Sequence, residues 1–249
     1  DAKSAIDILN QGNSVCIDYG KINNILFFCT CGVGFDAFVS LKFADSGKRG
    51  LLTYLENTLH ESLTYQPETY EIENEEGTVR HKAFLIACGN ASQYGNNAYI
   101  TPHASLTDGL MDITIMEPFT VLDVPSLSFQ LFNKTLDQNS RIKTMRAKKI
   151  KIHRQHDGVM HFDGDPLMAG KELEVEIIPA GLHVIASPKK RTKEESENLL
   201  QVISNYFSGL HLKGEEMLAK RQSHLFELNR NLLGKLSKNK ITSSNKNHG

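Results

Sequence analysis

No apolar run in this sequence is long enough to cross a bilayer. Runs such as ILFF, residues 25–28, fall far short of the ~20 residues a spanning helix needs. No signal-peptide pattern opens the chain, which begins DAKSAIDILNQG with no initiator Met. The four cysteines, Cys16, Cys29, Cys31 and Cys88, form no zinc-type CxxC pair. Cys29 and Cys31 stand two apart on one expected strand face and cannot easily bridge each other. Reduced thiols in a cytoplasmic protein are the expectation. There is no internal repeat.

What is there belongs to a globular protein: 249 residues, 40% hydrophobic and 23% charged. That allows one large or two small domains with a substantial core. The opening segment reads as a helix ending at Gly12, with the expectation that an N-terminal portion is missing. Net charge is −1 but unevenly placed. Residues 189–249 carry 12 Lys and Arg against 6 Glu, a net of +6, and residues 1–188 carry a net of −7. The shift marks a boundary near Ser187.

The body reads mostly as strands. SVCIDYG and ILFFCTC are two, around a turn at residues 21–24. Helical stretches FDAFVSLKFAD and KRGLLTYLENTLHESL follow. ETYEIENEEGTVRHKAFLIAC reads as a hairpin turning at residues 75–77. LMDITIM alternates as a half-buried strand should. A helix at about residues 121–136 interrupts, and strands resume with AKKIKIHR, GVMHFD, ELEVEII and LHVIA. The expected fold class is α+β, mainly β: a β-sandwich or distorted barrel with peripheral helices.

Four loops could carry chemistry. In CGVGFDA, Gly32 and Gly34 allow a sharp turn and Asp36 falls at a helix start; a capped helix is the plain reading. Lys48 and Arg49 open the next helix. Cations there suit a phosphate better than they suit the helix, with a solvated pair as the plain reading. In TPHASLTDGLMDI, Asp108 can point back while main-chain carbonyls of Ser105 and Leu110 converge with it. Such oxygens suit Mg²⁺ or Ca²⁺, against a plain Asp-Gly turn. In HFDGDPL, Asp163 and Asp165 flank Gly164. That is a hairpin turn, or a pair of acids set to handle a proton or a metal.

Taken in order, GVGFDA, KRGLLTYL, NASQYGNN, ITPHASLTDGLMDITIM, HFDGDPL and LEVEIIPAGLHVI resemble the bacterial diacylglycerol kinase and sphingosine kinase family of lipid kinases. The resemblance covers about residues 1–187, the family's C-terminal half. It implies a β-rich domain on the lipid side of a cleft. ATP is bound mainly by a separate α/β domain whose GGDGT loop, like any Walker-type loop, this sequence lacks. It implies ATP and Mg²⁺ as cofactors and a lipid as substrate. The family's Asp-Gly-Glu falls on Asp163, Gly164 and Asp165, where the acid takes the hydroxyl proton or positions the magnesium nucleotide. Its structural metal loop falls on Ser105, Asp108 and Leu110. Gly34 and Asp36 lie near the lipid head group, and Lys48 and Arg49 match a segment reaching phosphate. Two departures stand out. Asp165 replaces the usual Glu, a loss of reach of about 1.5 Å. Asn96 stands where a second glycine is expected.

Three functions stay open. The first is a lipid kinase acting on diacylglycerol, a sphingoid base or a similar lipid as the full-length protein, with this chain inactive alone. The second is a lipid-binding or regulatory module without catalysis, which the departures favour. The third is an NAD-kinase-like enzyme, expected to hold a nucleotide-shaped rather than a greasy pocket. A GGDGT loop upstream of Asp1 would discriminate. Residues 188–236 are expected to form a basic helical extension, with Leu199, Ile203, Tyr206 and Leu210, then Leu218, Leu225, Leu228, Leu232 and Leu236 at helical spacing. It suits packing on the sandwich or in a homodimer, or a peripheral place at the inner face of the membrane. A disordered tail is expected over residues 237–249, and no nucleic-acid partner is expected.

Overall fold

The computed structural model describes residues 2–46, 65–95 and 97–187. The helical stretch at 48–63 with Lys48 and Arg49, Asn96, and the extension and tail after Ser187 lie outside the described residues. No described helix is long and apolar enough to cross a membrane.

The elements are α1 (Ala2–Gln11), β1 (Ser14–Ile22), β2 (Ile25–Phe27), β3 (Thr30–Gly34), α2 (Phe35–Ser46), β4 (Glu68–Asn74), β5 (Gly77–Ala83), β6 (Leu85–Gly89), β7 (Met111–Met116), α3 (Val124–Phe132), β8 (Ile142–Ala147), β9 (Lys149–Arg154), β10 (Gly158–Phe162), β11 (Asp165–Ala169) and β12 (Glu172–Ile185). They build two six-stranded antiparallel sheets. Sheet one runs β2-β1-β12-β9-β4-β5 and sheet two β11-β10-β3-β6-β7-β8. Each keeps two edges, so the described strands form a sandwich and the distorted-barrel alternative falls away.

Burial separates the sheets. In sheet one, β4, β9 and the first half of β12 alternate buried and exposed residues, the mark of a strand with one wet face. Ile72, Ile152 and Val175 point inward at 0% exposure. The outer face carries ion pairs such as Lys149–Glu174 (2.7 Å) and Lys21–Glu176 (3.9 Å). These are exposed, so they add little stability. In sheet two, β3 and β6 are buried at every position. Val33, Ile86, Ile113 and Met160 meet sheet one in the main core. Leu85, Ala87 and Met116 face the other way, into a second cluster with Phe35 and Val39 of α2 and Leu127 of α3. α2 and α3 therefore cover the outer face of sheet two, and β7 is buried on both faces rather than on one.

Several strands differ from their sequence reading for one reason: the chain changes sheets in mid-run. ILFFCTC is two strands, β2 in sheet one and β3 in sheet two, broken at Phe28 and Cys29. Likewise β5 ends at Ala83 and β6 begins at Leu85 in the other sheet. Both flanks of each crossing are apolar, so no change of period betrays it. In the opposite sense, ELEVEII and LHVIA are one strand, β12. Its register against β1 slips between Ile17 and Tyr19. The slip is held by the buried Asp18, whose carboxylate accepts from the Gly109 and Ala180 amides at 2.7 Å each. β8 and β11 were not foreseen, and α3 is shorter than residues 121–136 because 3₁₀ turns flank it.

The crossing at Phe28–Cys29 exposes backbone groups that no ladder satisfies. Asn90, fully buried, answers its carbonyls: its side-chain amide donates to Phe28 O (2.8 Å) and its backbone N–H to Cys29 O (2.9 Å). Its N–H groups are answered from the β10–β11 turn.

Candidate functional site

The turn Asp163–Gly164 joins β10 to β11, with Phe162 opposite Asp165 and His161 opposite Pro166. Asp163 and Gly164 take φ of 48° and 92°, the left-handed pair that a tight two-residue hairpin requires. The hairpin reading of HFDGDPL is therefore right, and the strands reveal what fixes it.

Three contacts hold this hairpin. At its tip, Asp163 accepts from the backbone N–H groups of Phe28 and Cys29 (2.7 Å each) and Thr30 (3.1 Å). These are the donors stranded at the crossing. At its base, Arg154 of β9 donates to the carbonyls of Gly158, Val159, Ala169 and Gly170 at 2.7–3.1 Å. Arg154 is only 7% exposed, and burial pushes its guanidinium below its usual pKa. In the middle, His161 of β10 is 2% exposed and sets Nε2 3.0 Å from Asp36 Oδ2 at the start of α2.

Asp36 is saturated. Oδ2 also accepts from Tyr94 OH at 2.8 Å, and Oδ1 from the Ala37 N–H at 2.8 Å. Gly32, on β3 opposite His161, makes room for the pair. A Cβ there would lie 2.6 Å from Ile86 O, 2.8 Å from Asp36 Oδ2 and 3.1 Å from His161 Nε2. Gly34 has φ of 99° and passes the chain directly from β3 into α2, so CGVG is strand to its end rather than a loop.

Asp165, the first residue of β11, is exposed. No described residue bonds to its carboxylate. Of the three acids around this hairpin, two are spent on holding it and one is left to solvent. The sequence marked Asp36, Asp163 and Asp165 but missed His161, Tyr94 and Arg154. His161 opens HFDGDPL. Its signal was a histidine in the outward phase of a strand whose neighbour Met160 points into the core.

The Asp108 loop is elsewhere in the sandwich. Asp108 Oδ1 accepts from the Leu110 N–H at 3.1 Å, and Oδ2 is paired with Arg146 of β8. Ser105 Oγ accepts from the Thr107 N–H at 3.4 Å. Leu110 thus meets Asp108 through its N–H, and both carboxylate oxygens are taken. Among the described residues no group of three or more His, Cys, Asp or Glu could hold a metal ion. All four cysteines are free, as expected.

Comparison with known proteins follows the same outline. Residues 29–186 match the model of the YegS C-terminal NAD kinase β-sandwich-like domain. The chain is 27% identical over 187 residues to the protein named "Probable lipid kinase YegS" in Escherichia coli (strain SMS-3-5 / SECEC), and equally to that of Shigella boydii serotype 18. These matches cover 74% of this chain and 61% of each relative, so the chain spans about three-fifths of their length. Among solved structures, a diacylglycerol kinase from Bacillus anthracis str. Sterne shares the fold, with TM-score 0.54 and 16% identity over 74% of this chain and 58% of that one.

Proposed function

The chain belongs to the YegS C-terminal NAD kinase β-sandwich-like domain family, and from that membership we propose that it is the substrate-side part of an ATP-dependent lipid kinase. The substrate is a lipid hydroxyl, as in diacylglycerol or a sphingoid base. The observation carrying this reading is Asp165: an exposed carboxylate with no partner among the described residues, on a hairpin fixed at tip, middle and base.

Phosphoryl transfer asks little covalent work of a protein; it needs the nucleophile aligned and charge neutralised. ATP with Mg²⁺, when bound, would supply the phosphoryl group and leave as ADP, and no described residue forms a glycine loop for it. Asp165 accepts the proton as the lipid hydroxyl attacks, a task suited to a carboxylate free of internal partners. Asp163, by holding three amides, keeps the turn from swinging. Arg154 and the His161–Asp36 pair fix the strands beneath it, so the acid sits on a rigid element rather than a floppy loop.

A non-catalytic lipid-binding module is the second reading, favoured by the shorter Asp165. The two separate in one assay. Labelled ATP, Mg²⁺ and a panel of hydroxylated lipids are given to this chain and to the full-length protein. The kinase reading expects labelled lipid from the full-length protein only. Turnover by the chain alone would mean that its nucleotide site has been overlooked. No turnover by the full-length protein, with lipid still bound, would select the module.

A further inference from the structure

The family resemblance implies a structural divalent cation at Ser105, Asp108 and Leu110, and the donors around Asp108 answer differently. Asp112 of β7 lies directly opposite Arg146 of β8 in the ladder, so the guanidinium is delivered to this corner by strand register. Its Nε donates to Asp112 Oδ2 at 3.2 Å and its Nη2 to Asp108 Oδ2. One planar fork bridges two carboxylates, a geometry that favours arginine over lysine. The third acid nearby, Asp18, has both oxygens on amides, one of them that of Gly109 in this same loop. Asp108's other oxygen is closed by the Leu110 N–H. A Mg²⁺ or Ca²⁺ ion would need several oxygen ligands at 2.0–2.6 Å and would meet the positive charge of Arg146 at the Asp108 carboxylate.

We propose that the guanidinium of Arg146 is the resident cation of this loop, fastening Asp108 to β7 and β8 so that no divalent ion is bound there. Arg146 thus takes the part a metal plays in ordering the connection between Ser105 and Met111. The inference stands apart from the kinase reading, since it concerns how the loop is held and not what the hairpin does.

The test is thermal unfolding of this chain in EDTA, in millimolar Mg²⁺ and in millimolar Ca²⁺, for the unmodified chain, Asp108→Asn, Arg146→Gln and Arg146→Lys. Amide exchange at Gly109 and Leu110 is read in parallel. The proposal expects one melting temperature for the unmodified chain in all three solutions. It expects faster exchange at both amides in Arg146→Gln, with Arg146→Lys intermediate. A rise of several degrees with Mg²⁺ or Ca²⁺ that disappears in Asp108→Asn would overturn it. So would unchanged exchange in Arg146→Gln. Should Arg146→Gln not fold, the cation response of the unmodified chain and the exchange of Arg146→Lys decide alone.

Discussion

His161 and Asp36 meet at 3.0 Å from 125 residues apart in the chain, and each is less than a tenth exposed. Removing the imidazole leaves a buried carboxylate short of a donor, the expensive kind of loss. His161→Ala is expected to cost roughly 1–3 kcal/mol in urea unfolding followed by circular dichroism. His161→Gln keeps an N–H at a similar reach and should recover part of it. Tyr94→Phe removes a second donor to the same oxygen, so its effect should not simply add to that of His161→Ala. Equal stability in all three variants would show that Asp36 does not depend on this pair.

The two acids of the turn should part company. Asp163→Asn replaces the acceptor of three backbone N–H groups with one that also carries donors; a loss of about 1–3 kcal/mol is expected. Asp165→Asn touches no described partner, so melting should hold. In the full-length protein its lipid phosphorylation rate should drop roughly 10²-fold or more. A severe rate loss in Asp163→Asn at unchanged stability, with Asp165→Asn near normal, would transfer the proton role to Asp163.

Gly32→Ala tests the packing at the crossing. Its Cβ would press on Ile86 O, a backbone atom that cannot turn aside. A loss of roughly 1–3 kcal/mol is expected, along with loss of the Asp36–His161 contact. A folded variant of unchanged stability would mean that the two sheet-two strands part more easily than drawn.

One acid-side prediction follows from Asp123. The N–H and then the hydroxyl of Thr120 hold its carboxyl below the usual pKa. An acid with a lowered folded-state value stabilises the fold above its unfolded value and loses that contribution as pH falls through the folded one. The window therefore lies below about pH 4. Asp123→Asn should flatten the fall of melting temperature in that window and leave pH 6–8 unchanged in slope. An identical slope in both proteins would remove Asp123 from the acid response.

Much of the fold was legible because strand alternation and turn chemistry are local. Residues 75–77 read as a turn, and the chain does turn there, with Asn74 opposite Gly77; HFDGDPL is a hairpin as its Asp-Gly implied. What stayed hidden is non-local. Nothing in ILFFCTC says that Phe27 belongs to one sheet and Thr30 to the other. Asp163 was visible as an acid, but its partners stand more than 130 residues earlier. Arg154 ends a strand like any surface cation, and only the tertiary fold buries it among four carbonyls. The extended run after Gly181 was seen, but its continuity with the strand before it rests on Asp18, far upstream.

The order of strands in sheet one bears on how the protein is made. β12, the last of the described strands, lies inside the sheet between β1 and β9, and Ser14 faces Ile185. At roughly 5–20 residues per second, β1 leaves the ribosome well ahead of its partner, on the order of 10–30 s. Throughout that interval β1 presents an unpaired edge, joined by β9 only shortly before β12 emerges, a template for wrong pairing with other nascent chains. A chaperone that shields extended segments, or slow decoding kept away from the codons before residue 172, would serve this domain at birth more than any added stability in its finished form.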